Sequence, residues 1–501
     1  MRVFGRLALL GGLAACSSGD PAAPDASVDD GGDDAGSPVA VVIEAPAAPP
    51  IGAPFPVVIA TADGAPRTLQ VMLDAAGVSE QVTVYRGRGS SSLVADAAEP
   101  LTLWAGGETV TVTPVERPRR DLSGELEGAD TEWDETRDVR LTADAAVPAG
   151  ATLTIAAGTR ILAVGRVSLT ILGSLVARGT TQSPIIVTRA GAEPWGGLRL
   201  GRGANASLEH VWFLAGGGDV SLAFGHSASQ PVVFAGAGAS LEMTGGGVLD
   251  SPGKAFGADR AEVTLAGVLV SRCDTGGQLD DSLVTIRASH FLEIPDADGV
   301  AEDDDNDGIY LSGALERDGE EQTSTIRDTV FAGGEDDAID HNGALLVVER
   351  AWIEGFAHEG IAASGSRSVT IADSVIRDCG QGIEAGYGSP SVRVEHSLVT
   401  GCETGLRYGD DYDWSVEGRL EVSGTIAAGN ERNVYNWVNV LGGPVDGAVT
   451  IACSMVDDPA WDDRDGNLPG TPRWDAGGCL EPGSPGGGAA CDGLDVGPRC
   501  E

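Results

Sequence analysis

A chain of 501 residues with 73 glycines, 5% aromatic residues and a formal charge of −43 is unlike an average globular domain. That charge excludes nucleic acid and bare anionic membrane as partners, since both are polyanions. The scarcity of rings leaves Val, Ile, Leu and Ala to build the core, and Lys254 is the only lysine, so basic chemistry on the central repeats falls to Arg or His.

In chain order, residues 1–16 read as a targeting segment. Arg2 and Arg6 make a short basic start, and Leu7 to Ala15 is an apolar run too short to span a bilayer permanently. Leu13-Ala14-Ala15-Cys16 resembles a bacterial lipobox. The resemblance implies cleavage before Cys16 and acylation of its thiol, hence membrane attachment through an N-terminal lipid. Ser17 and Ser18, rather than Asp, resemble the signal for the outer membrane, so the expected location is the outer membrane or cell surface. Residues 17–38 hold six aspartates, no basic residue and little that is apolar, which predicts a disordered acidic tether with a typical reach of about 25 Å.

Residues 39–118 alternate apolar and polar positions in short runs such as FPVVIATA, TLQVMLDA and ETVTVTPV, separated by turn residues. Several short strands at this spacing predict a small β-sandwich of immunoglobulin-like kind, here a spacer.

Residues 119–452 carry a repeat. Ile326, Val348, Ile371 and Val394 recur at steps of 22, 23 and 23, and Ile339, Ile361, Ile383 and Leu406 at steps of 22, 22 and 23. A small residue precedes each member of the second series: Ala338, Gly360, Gly382 and Gly405. A unit this short, with β-branched residues alternating with polar ones, cannot bury its apolar face alone and must stack on copies of itself. TIRDTVFAGGEDDAID, VVERAWIEGFAHEGIA and TIADSVIRDCGQGIEA resemble the right-handed parallel β-helix proteins of the pectin-lyase-like superfamily. The expected fold is therefore all-β, a parallel solenoid of roughly 12–15 coils.

Residues 453–501 are rich in Gly and Pro and contain Cys453, Cys479, Cys491 and Cys500, which predicts a disulfide-stapled C-terminal cap suited to an extracellular protein. Covering the last coil blocks end-to-end stacking and predicts a monomer. Cys379 and Cys402 each follow a first-series apolar residue by eight positions, so they fall on neighbouring coils, as a disulfide or as a ladder of thiols.

Three constellations carry candidate chemistry. Asp303, Asp305 and Asp307 precede Gly308 as D-x-D-x-D-G, oxygen ligands at alternate positions that suit Ca²⁺, with Asp336 on a neighbouring coil to complete the site. Second, DNDGI, EDDAI and HEGI follow one another along one edge of the stack. This order resembles the polygalacturonase-like glycoside hydrolases and implies catalytic roles for Asp307, Asp336, Asp337 and His358. In an inverting hydrolase Asp337 would be the acid, Asp307 and Asp336 the bases that activate water, and His358 an orienting partner. The chain departs from that family: Ala357-His358-Glu359 stands where the family has Gly-His-Gly, and Arg407 is the nearest substitute for its Arg-x-Lys. Lyases of this fold use Arg or Lys as base and calcium to bridge an acidic sugar. Third, Tyr310, Tyr387, Arg407, Tyr408, Tyr412 and Trp414 gather after the second series, rings suited to stacking on sugars. The functional expectation is a surface lipoprotein that binds glycan or another surface without catalysis. The alternatives are an inverting hydrolase and, behind it, a polysaccharide lyase.

Overall fold

The repeat closes by backbone hydrogen bonds between residues one coil apart. The computed structural model describes residues 39–75, 77–227, 229–294, 305–409 and 416–500. Its largest sheet joins 34 strands in near-sequential order, and every pairing within the stack is parallel. Ile326, Val348, Ile371, Val394 and Val422 lie in register on one wall, and Ile339, Ile361, Ile383, Leu406 and Val434 on another. A third wall stacks Phe331, Ile353, Ile376, Val399 and Ala427. The interior is filled by these aliphatic ladders, which explains why so few rings suffice.

Corners repeat as faithfully as the walls. Asp328, Arg350, Asp373 and His396 hold φ of 51°, 52°, 51° and 43°, one left-handed residue per coil at the same bend. A hydroxyl follows at most of these corners. Ala351 N–H donates to Ser374 Oγ, Ser374 N–H to Ser397 Oγ, Ser397 N–H to Thr425 Oγ1, and Thr425 N–H to Ser454 Oγ. Asn467 Oδ1 accepts from Ser454 N–H and ends the series. These bonds satisfy buried amides that the bend leaves without a strand partner.

The third wall is apolar on its outward side too. Val330, Trp352, Val375, Leu398, Ile426 and Met455 form an outward ladder, and Leu398, Ile426 and Met455 are almost fully buried. Strands apolar on both faces need cover on both. The cover comes from both ends of the described chain. Strands Val41–Glu44, Pro54–Thr61 and Arg88–Val94 form one antiparallel sheet. Strands Leu69–Ala75, Val78–Val84, Leu101–Ala105 and Glu108–Val112 form a second. One apolar cluster unites Phe55, Val58 and Leu103 of these sheets, the outward ladder, and Ala490 and Val496 near the C-terminus. Two arginines pin the sheets to the stack. Buried Arg160 pairs with Asp138 and donates to the carbonyls of Ala48, Pro49 and Val115, and Arg272 links Asp250 and Glu293 to Ser90 O.

The C-terminal segment differs from the expected end cap in one respect. The last coil is closed by the turn leading to Asn467, but the remainder runs back along the flank: Gly478 lies against Val375 and Leu398, and Arg499 pairs with Asp373. Its cysteines pair as Cys453–Cys491 and Cys479–Cys500. Cys273, Cys379 and Cys402 are buried thiols, so the neighbouring pair Cys379 and Cys402 is a thiol ladder. The expected lipidation site Cys16 and tether 17–38 lie outside the described residues.

Candidate functional site

Two outward ladders on the second wall define the site. The first runs Gln278, Tyr310, Asp340, Ala362, Glu384, Arg407, Tyr435, each in register with the next. The second lies three residues earlier in each coil. Gly276 N–H donates to Asp307 O, Gly308 N–H to Asp337 O and Ala338 N–H to Glu359 O, and the series continues through Gln381, Thr404 and Arg432. Polar residues separated by about 30 and 22 positions are thereby brought roughly 4.8 Å apart at the backbone. Tyr387 is added by a bulge: the register between strands Glu359–Ala372 and Gln381–Glu395 shifts between Ala363 and Gly365.

The ladders frame a cleft of about 550 Å³ lined by Asp305, Tyr310, Asp336, Asp337, Asp340, His358, Glu359, Tyr387 and Arg407, among others. Asp307 is buried beside the lining residues Asp337 and Asp340, at 1% exposure, and among the described residues neither of its carboxylate oxygens has a hydrogen-bond partner. One oxygen each of Asp307, Asp337 and Asp340 lies within 4.8 Å of the others. Burial, reinforced by Asp340 and Asp337, pushes the Asp307 carboxyl well above the usual range. Burial does the same to Asp337, with Glu359 adding to it, and to Asp340, with Asp337 adding to it. Three carboxyls this close cannot all be ionised without a cation.

His358 is the cleft's counter-charge. Its Nδ1 lies 3.2 Å from Asp336 and 3.3 Å from Asp337, and it also pairs with Glu359. Hydrogen bonds to Asp336, Asp337 and Glu359 hold the imidazole protonated. On the other side His226 Nδ1 sits 2.9 Å from Asp305, and its ring stacks on Tyr310 with centroids 5.1 Å apart. Burial raises Asp305 while His226 opposes the shift. Asn342 Nδ2 donates to the Tyr310 hydroxyl, and Arg407 pairs with Glu384.

Asp307, Asp336, Asp337 and His358, singled out in the sequence, thus converge. The D-x-D-x-D-G turn does not act as one unit among the described residues. Asp305 turns to His226 and Asp307 to Asp337 and Asp340, while Asp303 lies outside the described residues. Asp340, rather than Asp305, completes the candidate cation set. Its signal is the register that places it directly above Tyr310 in the first ladder, within reach of Asp307 and Asp337 of the second. Tyr310, Tyr387 and Arg407, singled out in the sequence as candidate ligand contacts, line the cleft. Tyr408 does not: strand alternation turns it inward, 1% exposed, with its hydroxyl donating to Gly418 O. Tyr412 and Trp414 lie outside the described residues. Glu359 stands in the HEGI motif of the same edge, whereas His226 was not anticipated, because nothing in its local sequence marks it.

Two family descriptions match this chain: "Pectate-lyase like beta helix domain" over residues 124–225, and "Right handed beta helix region" over residues 259–419. The chain is a right-handed parallel β-helix of the pectin-lyase-like superfamily. Among solved structures this β-helix is similar to pectate lyase Pel9A, with 13% identity, TM-score 0.30, and 69% of this chain and 88% of that chain covered. It is also similar to the family 28 exopolygalacturonase of Yersinia enterocolitica, with 10% identity, TM-score 0.23, and 83% and 98% covered. A third is the alginate lyase from Paenibacillus sp. str. FPU-7, with 15% identity, TM-score 0.20, and 60% and 99% covered. No curated protein matches the chain.

The donor set of the β-helix cleft suits a hard cation. Asp307, Asp337 and Asp340 offer only carboxylate oxygen, the chemistry Ca²⁺ prefers, and Asp307 carries two buried oxygens with no hydrogen-bond partner among the described residues. Asp336 with Asp337 and His358 forms a second group, but protonated His358 occupies it with its own charge.

Proposed function

We propose that this β-helix binds a glycan in the carboxylate cleft, with Ca²⁺ held by Asp307, Asp337 and Asp340 as part of the recognition. The observation that carries the reading is the convergence of three carboxylates, two buried and one half-buried, one of them with no hydrogen-bond partner among the described residues, beside Tyr310 and Tyr387. The ion would neutralise the cluster and offer open coordination to sugar oxygens. Tyr387 and Arg407 would orient the sugars, and His358 would hold Asp336 and Asp337 in place. A cleft so acidic admits a uronate only when calcium intervenes.

The spacing favours ligation over inverting hydrolysis by Asp307 and Asp337. An inverting pair separates its carboxyls by about 6.5–9.5 Å to fit a water under the sugar. Oxygens of Asp307 and Asp337 lie within 4.8 Å of each other, which suits co-ligands.

The test is a panel of neutral and uronic polysaccharides, with calcium or with chelator, read for binding, new reducing ends and unsaturated ends. Calcium-dependent binding without new ends is the expected result. Reducing ends that vanish in Asp337→Asn would replace binding by hydrolysis, and unsaturated ends would replace it by elimination. Binding to no member would sink the glycan reading.

We also propose that the protein is a surface lipoprotein anchored through Cys16, on the strength of the Leu13–Cys16 motif. Membrane fractionation of the full chain against Cys16→Ser tests this. An unchanged membrane fraction in the variant would rule it out.

A further inference from the structure

The first ladder continues below Tyr310 through Gln278, Gly257 and Phe234, and there it is covered. Three consecutive loop residues lie over it in order. Phe224 packs edge-on against Phe234, with ring centroids 5.0 Å apart. Gly225, at φ 77°, approaches Gln278 so closely that a Cβ would overlap the amide. His226 stacks on Tyr310 and pairs with Asp305.

This cover is tied down from beneath. His226 N–H donates to Gln278 Oε1 at 2.6 Å, Ser229 Oγ donates to Asp274, and Lys254 Nζ donates to Ser227 O at 2.8 Å and to Ser227 Oγ. Lys254 is fully buried, and its carbonyl column leads through Thr275 to Asp307. The only lysine of the chain stands where a guanidinium would be poorly served. Buried Arg160 has Asp138 and three carbonyls as acceptors, whereas among the described residues the hydrogen bonds of Lys254 go to Ser227 alone. A compact ammonium suits two acceptors on one residue, and a five-donor fork does not.

We infer that the Phe224–His226 cover closes one end of the cleft, so that the protein takes the end of a glycan chain and not an internal segment, with Lys254 as the residue that positions the cover. The inference rests on the glycan reading above. From Asp340 the ladder, open among the described residues, rises through Ala362, Glu384 and Arg407 to Tyr435, four coil steps or about 19 Å. A chain lying along it meets the His226–Tyr310 stack and stops.

The experiment uses polygalacturonate in long and short preparations, with calcium, and counts protein bound per chain and per unit mass. Chain-end capture predicts that bound protein follows the number of chains, so that at equal mass the short preparation binds more. Lys254→Met frees the cover and is expected to raise the protein bound per long chain at least twofold, a gain that simple structural damage would not produce. His226→Gly removes the stack directly and is expected to give the same gain if Lys254→Met does not fold. Bound protein proportional to mass in the wild type would overturn chain-end capture while leaving glycan binding intact. An unchanged count per chain in both variants would overturn the role of the cover. No binding by any form would overturn this inference together with the uronate reading.

Discussion

Asp307 and Asp337 occupy the same position in successive coils, with a carboxylate oxygen of each within 4.8 Å of the other. The Gly308 N–H to Asp337 O bond of 2.7 Å holds their backbones one coil apart. Ionised together, they are opposed like charges unless a proton or a cation lies between them.

Calcium should therefore stabilise the fold. A site filled at 100 times its dissociation constant adds about 2.7 kcal/mol. Thermal melts in millimolar calcium and in excess chelator should differ, and Asp307→Asn or Asp340→Asn should abolish most of the difference. Identical wild-type melts in the two conditions would eliminate the site.

Without calcium, stability should fall as pH rises. The folded pKa values of Asp307, Asp337 and Asp340 are raised above the unfolded carboxylate value of about 3.9. The native state therefore binds more protons than the unfolded state above that pH, and the stability these groups contribute is lost as pH climbs through their folded values. Denaturant melts in chelator from pH 4 to 8 should show this decline, calcium should reverse it at neutral pH, and Asp307→Asn should flatten it. Rising stability over the same range would contradict the assignment.

Tyrosines of the same edge should separate by direction. Tyr408→Phe removes a buried hydrogen bond to Gly418 O and should cost about 0.5–1.5 kcal/mol of stability with glycan binding unchanged. Tyr387→Ala should leave stability nearly intact and weaken glycan binding by about 1 kcal/mol, roughly fivefold. The opposite pattern in paired melting and calorimetry would show that the wrong ring had been placed in the cleft.

The C-terminal segment should behave as a cover for the flank. Replacing Cys479 and Cys500 by serine opens a loop of sequence separation 21 and should cost about 3 kcal/mol. It should also expose Val375 and Leu398, read as binding of a hydrophobic dye under conditions where circular dichroism is unchanged. No added dye binding would mean the segment holds without its staple.

The sequence by itself determined the stack. Its two apolar series recur at 22–23 residues, and the in-register pairs Ile326–Val348 and Ile339–Ile361 follow from that spacing alone. It also marked Asp307, Asp336, Asp337 and His358, because each sits just before a second-series apolar residue, a position every coil repeats. What the tertiary structure decided is everything set by alternation and by distant segments. Tyr408 and Arg407 are adjacent in sequence but face opposite sides of the wall, one inside the core and one on the cleft. Asp340 joins the carboxylates because its strand position returns to the cleft on the far side of Ile339. The outward ladder of Val330, Trp352 and Leu398 gave no sign of its cover, since that comes from residues some hundreds of positions earlier and about a hundred later. Lys254 and His226 meet the site only through a loop folded across four coils. Periodicity fixes contacts between neighbouring coils, whereas contacts made by non-repeating segments depend on burial energies summed over the finished surface.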